Sequence, residues 1–89
     1  MPAEPTLRLR QADLAWREFG TETVLIDLRT STYLETNAAA TLLWRRLESG
    51  ATESALVEAL VDAFAIAPEQ AATDVRAFVT DCERRGLLS

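Results

Sequence analysis

Thr23-Val-Leu-Ile-Asp-Leu28, Arg29-Thr-Ser31, Thr32-Tyr-Leu-Glu-Thr36, Asn37 is the stretch on which the fold turns. Residues 23 to 28 are apolar or β-branched apart from Asp27, the make-up of a half-buried strand. Arg29 to Ser31 form a polar turn, and Thr32 to Thr36 return to strand-forming residues. The whole reads as a β-hairpin that feeds directly into a helix. Its second strand is a candidate sheet edge, and an edge with unpaired N–H and C=O groups recruits another strand unless it is blunted.

Upstream of the hairpin, Leu7-Arg8-Leu9-Arg10 alternates apolar and charged residues, as a short strand with one wet face does. Trp16-Arg17-Glu18-Phe19 reads as a further strand before the turn Gly20-Thr21-Glu22. Residues 1–6, with two prolines and no pattern, read as a flexible tail ahead of one domain, 7–89. By strand alternation Asp27 falls on the face opposite Ile26 and Leu28. An outward carboxylate is the simpler reading, and a fixed hydrogen-bonding role at the turn is the other.

Downstream the apolar period lengthens. Asn37 is a good N-cap, since its side-chain oxygen can accept an orphan N–H of the first turn. Ala40, Leu43, Trp44 and Leu47 follow at i, i+3, i+4, i+7, and Gly50 ends that helix. Thr52 caps a second helix, with Leu56, Val57, Leu60, Val61 and Phe64 on its stripe and Glu53 at its positive end. Pro68 suits the first position of a third helix, whose apolar face is Ala71, Ala72, Val75, Phe78, Val79 and Cys82. Asp74, Asp81 and Arg85 border one margin of that face; Arg76 and Glu83 border the other. Gly86 ends the helix, and Leu87-Leu88 fold back onto the core. Strands first and helices second point to an α+β fold rather than a parallel α/β sheet.

The chain has 89 residues, enough for one small domain, and a net charge of −5 from fourteen acids and nine bases, all of them Arg. That balance argues against nucleic acid, whose binding rests on a basic surface, and no helix offers a basic face for a winged-helix DNA reader. With no His and one Cys, imidazole-dependent catalysis, an internal disulfide and Cys/His metal sites are excluded. Cys82 lies on an apolar stripe and reads as a small core residue rather than a reactive thiol. The three glycines stand apart and make no phosphate loop. Glu58 and Asp62 share a solvated helix face. Asp74 and Asp81 sit two turns apart, about 10 Å along a helix, too far to share a proton or an ion. No signal peptide or membrane-length apolar run is present, so a cytoplasmic protein is expected, with no cofactor and no enzyme activity of its own.

Trp16-Arg17-Glu18, Val24 to Leu28, Ser31 to Leu34, Asn37, Leu43-Trp44, Leu47, Gly50-Ala-Thr52, Leu56-Val57, Asp74-Val75, Phe78-Val79 and Arg85-Gly-Leu-Leu88 together resemble the PqqD-like family. These are the recognition elements of pathways that modify ribosomally made peptides (RiPPs). Ser31 stands where this family often has Gly, Thr36 where Leu is common, and Cys82 where Leu is common. The resemblance implies a winged-helix-like domain, a three-stranded antiparallel sheet packed on three helices. It also implies that a precursor's leader peptide adds as an extra strand to residues 32–36, in a groove against helix 68–85. The partner would then be a modifying enzyme, a radical-SAM protein or a lasso-type leader protease with its cyclase.

On that reading the strand's Thr32, Tyr33, Leu34, Glu35 and Thr36 face the leader. Either Thr32, Leu34 and Thr36 or Tyr33 and Glu35 supply the outward backbone groups. Val75, Phe78, Val79 and Cys82 form the wall, and Arg76 and Glu83, with Glu35, read leader charges at the margins. Each wall residue is also wanted by the core of so small a domain. The rival readings are a protein-docking module or a homodimer formed through the same edge, and, less well supported, a winged-helix DNA binder or a small enzyme.

Overall fold

The computed structural model describes residues 4–89, so the first three residues of the expected tail lie outside it. Six elements follow one another: β1 (Leu14–Phe19), β2 (Glu22–Asp27), β3 (Thr32–Thr36), α1 (Ala38–Ser49), α2 (Glu53–Phe64) and α3 (Pro68–Arg84). The strands make one antiparallel sheet in the order β1-β2-β3. This is the α+β architecture anticipated from the segregated patterns, with the three helices packed on the inner face.

β1 and β2 are joined by the two-residue turn Gly20-Thr21 between the paired residues Phe19 and Glu22. Gly20 takes φ 63 there, the position at which a tight hairpin asks for Gly. The register then sets which side chains go inward. Trp16, Leu25 and Leu34 lie side by side across the sheet, and so do Glu18, Thr23 and Thr36. Thr23, Leu25 and Asp27 are the buried residues of β2. Thr23 is tied to α1 by a 2.6 Å hydrogen bond between its hydroxyl and that of Thr41.

The expected caps hold the helices. Asn37 Oδ1 accepts from the Ala40 N–H at 2.9 Å, Thr52 Oγ1 accepts from the Ala55 N–H at 3.1 Å, and Pro68 opens α3. After α3, the Leu87 N–H donates to the Cys82 carbonyl at 2.9 Å and the Gly86 N–H to that of Glu83 at 3.1 Å. With Gly86 at φ 70, this is the Schellman closure, and it seats Leu87 in the core. That core gathers Leu25, Leu43, Trp44, Leu47, Leu56, Leu60, Val75 and Val79 from β2 and all three helices. Burying each such side chain is worth about 1.5–3 kcal/mol.

Three readings of the first third are corrected. Leu7 to Arg10 is not a strand with a wet face: it forms single bridges, Leu7 to Ala51 and Leu9 to Leu88. Arg10 is buried, and it donates to the carbonyls of Ala12, Asp13 and Gly86 and to Asp27 Oδ1 at 2.7 Å. Asp27 is accordingly turned inward, not outward, and also accepts from the Arg29 N–H at 3.0 Å. A buried charge is tolerated when paired and fully hydrogen-bonded, and Arg10 supplies that pairing from a segment distant in sequence. Leu28, placed in the strand by its composition, belongs to the turn and is exposed. At the other end of the chain the Arg10 N–H donates to the Leu87 carbonyl and the Ser89 N–H to that of Arg8, so the two ends run side by side.

Candidate functional site

β3 is an edge strand, flanked by β2 on one side only. Nothing in Thr32-Tyr-Leu-Glu-Thr36 blunts it: there is no proline and one charge, Glu35. The opposite edge, β1, carries Arg17 and Glu18 in its six residues. Glu18 pairs with Arg45 and Trp16 Nε1 donates to Glu48 at 3.0 Å, so β1 is tied down onto α1. Among the described residues neither edge pairs with a further strand, and β3 is the one with the fewer charges.

Alternation along β3 divides its side chains. Thr32, Leu34 and Thr36 share the inner side with Leu25, whereas Tyr33 and Glu35 stand opposite Ile26 and Val24 on the outer side. Leu34, not Tyr33, therefore faces the helices. Tyr33 is 68% exposed, and with Phe19 at 61% it leaves the outer face of the sheet partly apolar.

Between β3 and the C-terminal end of α3 lies an open cleft of about 250 Å³, lined by Leu25, Asp27, Thr30, Thr32, Leu34, Arg84, Arg85 and Leu87. Beyond the other end of β3, a larger cleft of about 550 Å³ begins at Asn37. Ala39, Ala40 and Leu43 of α1, Leu60 and Phe64 of α2, Ile66, and Asp74 and Phe78 of α3 line it. Phe78 packs against α1 at the wall of this cleft. Its ring lies 4.7 Å from that of Trp44, tilted by 59°, within the range of favourable aromatic pairs. Trp44 Nε1 in turn donates to Thr36 Oγ1 at 3.2 Å.

The residues expected to form the helical wall divide by depth. Val75, Val79 and Cys82 are core residues, closed over by the rest of the domain, while Phe78 is half-buried and reaches a cleft. Burial pushes the Cys82 thiol up to about 12, so it stays a protonated, apolar side chain. Arg76 is turned toward α2, where it pairs with Glu53, and Glu83 is exposed. Neither lines either cleft. The clefts take other residues of this segment: Arg84 and Arg85 stand beside Thr32 and Leu34, whereas Asp74 and Phe78 line the Asn37 cleft with residues of α1 and α2. Arg84 and Arg85 both pair with Asp81, whose carboxyl is held below its ordinary value chiefly by the hydrogen bond from Arg85 and then by that from Arg84. The stripe 74, 78, 81, 85 was visible in the spacing, but which side of α3 meets the sheet is a tertiary fact. Among the described residues no three or more His, Cys, Asp or Glu side chains gather as metal ligands would, and no helix is long and apolar enough to cross a membrane.

An open antiparallel edge beside a cleft walled by a helix suits the capture of an extended chain: backbone groups supply affinity and the cleft selects side chains. Comparison with known proteins bears on that geometry. Among curated proteins none matches this chain. Among solved structures, TbiB1 in complex with the TbiA(beta) leader peptide superposes with a TM-score of 0.82, at 23% identity, over 92% of this chain and 94% of that one. A lasso peptide synthetase B1 complexed with the leader peptide gives a TM-score of 0.79, at 25% identity, over 93% of this chain and 96% of that one. The sequence pattern of the family described as coenzyme PQQ synthesis protein D (PqqD) matches residues 22–88. The chain belongs to the PqqD family.

Proposed function

We propose that this protein is a RiPP recognition element that captures the leader segment of a ribosomal precursor peptide and presents it to a modifying enzyme. The leader adds as a fourth strand to β3, with its side chains directed into the clefts along α3. The observation that carries this reading is the open, unblunted edge of β3 beside those clefts, in a chain whose fold matches two proteins solved with leader peptides. The protein binds and positions; the chemistry belongs to its partner, a radical-SAM enzyme or a leader protease acting with a cyclase.

Titration with the leader encoded beside the gene is the direct test. Binding at tens of micromolar or tighter, about −6 kcal/mol, is expected, and its absence counts against the proposal. The site is tested by proline. Adjacent N–H groups of a strand point to opposite sides, so one of Leu34→Pro and Glu35→Pro removes a donor from the open side of β3. The variant that keeps its fold by circular dichroism should lose binding, whereas Arg17→Pro in β1 should leave binding unchanged if folded. The reverse pattern would move the leader to β1. Size-exclusion chromatography of the free protein separates this reading from a homodimer through the same edge: a monomer that becomes a one-to-one complex supports leader capture.

A further inference from the structure

The cleft beside β3 and the one that begins beyond it at Asn37 differ in charge. At the Thr32 end Arg84 and Arg85 share the single carboxylate of Asp81, and the nearby Asp27 is already matched by Arg10. One guanidinium charge is left in surplus, and Arg84 is largely exposed. At the Asn37 end the cleft is larger and mostly apolar, with Ala40, Leu43 and Phe64 in its walls and the Asp74 carboxylate at its rim. Asp74 is partnered by the neutral amide of Gln70 at 2.8 Å, so its charge is uncompensated by any cation in that contact.

Resting on the leader-capture reading, we infer that the bound segment carries an acidic side chain at the Arg84/Arg85 end and a large apolar one in the Asn37 cleft. The spacing follows from geometry. Asp74 and Arg85 are eleven positions apart on α3, about 16 Å at the helical rise. A strand laid alongside covers that distance in about five residues. Arginine favours a carboxylate because its planar fork meets both oxygens. Asp74 repels an acid at the other end, which fixes the register of the peptide and not merely its affinity. Two anchors of unlike chemistry prevent a one- or two-residue slip that backbone pairing alone would allow.

The test pans a display library of random peptides of about twelve residues, roughly 40 Å when extended, against the wild-type protein and against Arg84→Glu/Arg85→Glu. Wild-type protein should enrich Asp or Glu at one position and Leu, Ile, Phe, Tyr or Trp about five residues away. The reversed variant should enrich Lys or Arg at the first position, keep the apolar one, and bind wild-type-selected peptides about ten-fold or more weakly. If repulsion from Asp81 changes the intended surface or the variant fails to fold, Arg84→Gln/Arg85→Gln serves in its place and should lose the acidic preference. An unchanged acidic preference in the variants, or none in the wild type, overturns the inference. Peptides that bind β3, shown by loss with the folded β3 proline variant, yet carry no charge preference leave leader capture standing and remove only the inference. A library that yields no binder, while the leader itself binds in titration, overturns the inference alone.

Discussion

Asp27 is where a sequence reading and the folded chain part most clearly. Alternation with Ile26 and Leu28 made it outward, because the residue that brings it inside, Arg10, comes from an irregular segment with no strand period of its own. No local signal could announce a partner seventeen positions away. The Arg10 guanidinium holds the Asp27 carboxyl below its ordinary value, opposed by burial and helped by the Arg29 N–H. A lowered native pKa means that the pair stabilises the fold in full above the unfolded carboxyl's pKa of about 3.9, and that this contribution is lost as pH falls through the lower native value. Asp27→Asn should therefore melt below the wild type at about pH 7, and the gap between the two melting temperatures, followed by circular dichroism, should narrow as pH falls below about 3.9. A constant gap across that range would show that the pair acts only through its shape. Replacing both partners with apolar residues of similar volume should be milder than removing Arg10 alone, which strands a buried charge.

At the scale of the elements, local chemistry was legible and length was less so. Asn37, Thr52 and Pro68 announce the three helix starts because capping needs only residues within one turn. Gly50 and Gly86 announce two of the ends in the same way. The end of α2 has no such mark: Ala65 stops it in the left-handed region, φ 53 and ψ 37, with its N–H donating to the Val61 carbonyl. That conformation costs a residue with a side chain about 1–2 kcal/mol, while glycine's extra freedom in the unfolded chain returns about 0.5–1 kcal/mol. Ala65 is exposed, so no packing is lost. Ala65→Gly should raise stability by about 0.5–1 kcal/mol in urea unfolding, the difference between those two terms. Destabilisation would mean that α2 frays at this position in solution. Ser31, where the family resemblance expects Gly, has the same left-handed conformation at φ 55. The polar turn of the hairpin thus holds a non-glycine residue in the region that favours glycine.

For the whole molecule, the edge of β3 could be read from element order, since a third strand that runs into a helix has no later strand to pair with. The groove could not be read so far. Its helical side depended on how α3 packs, which sets Arg84 and Arg85 beside Thr32 and Leu34, Asp74 and Phe78 beside α1 and α2, and Arg76 against Glu53 of α2. Sequence spacing defined both margins of α3 equally well, and only packing chose between them. The paired chain ends carry a separate consequence. A domain whose chain enters at Arg8 and leaves at Ser89, hydrogen-bonded to each other, behaves as a cassette: it can be spliced into a surface loop of a host enzyme with little separation to bridge and a small closure entropy. A circular permutant that joins the two ends through a short Gly/Ser linker and opens between Gly20 and Thr21 should keep the wild-type circular dichroism spectrum and cooperative melting. The same domain inserted into a host chain would meet that host's other parts intramolecularly, at a high effective concentration, where a separate chain depends on a bimolecular encounter.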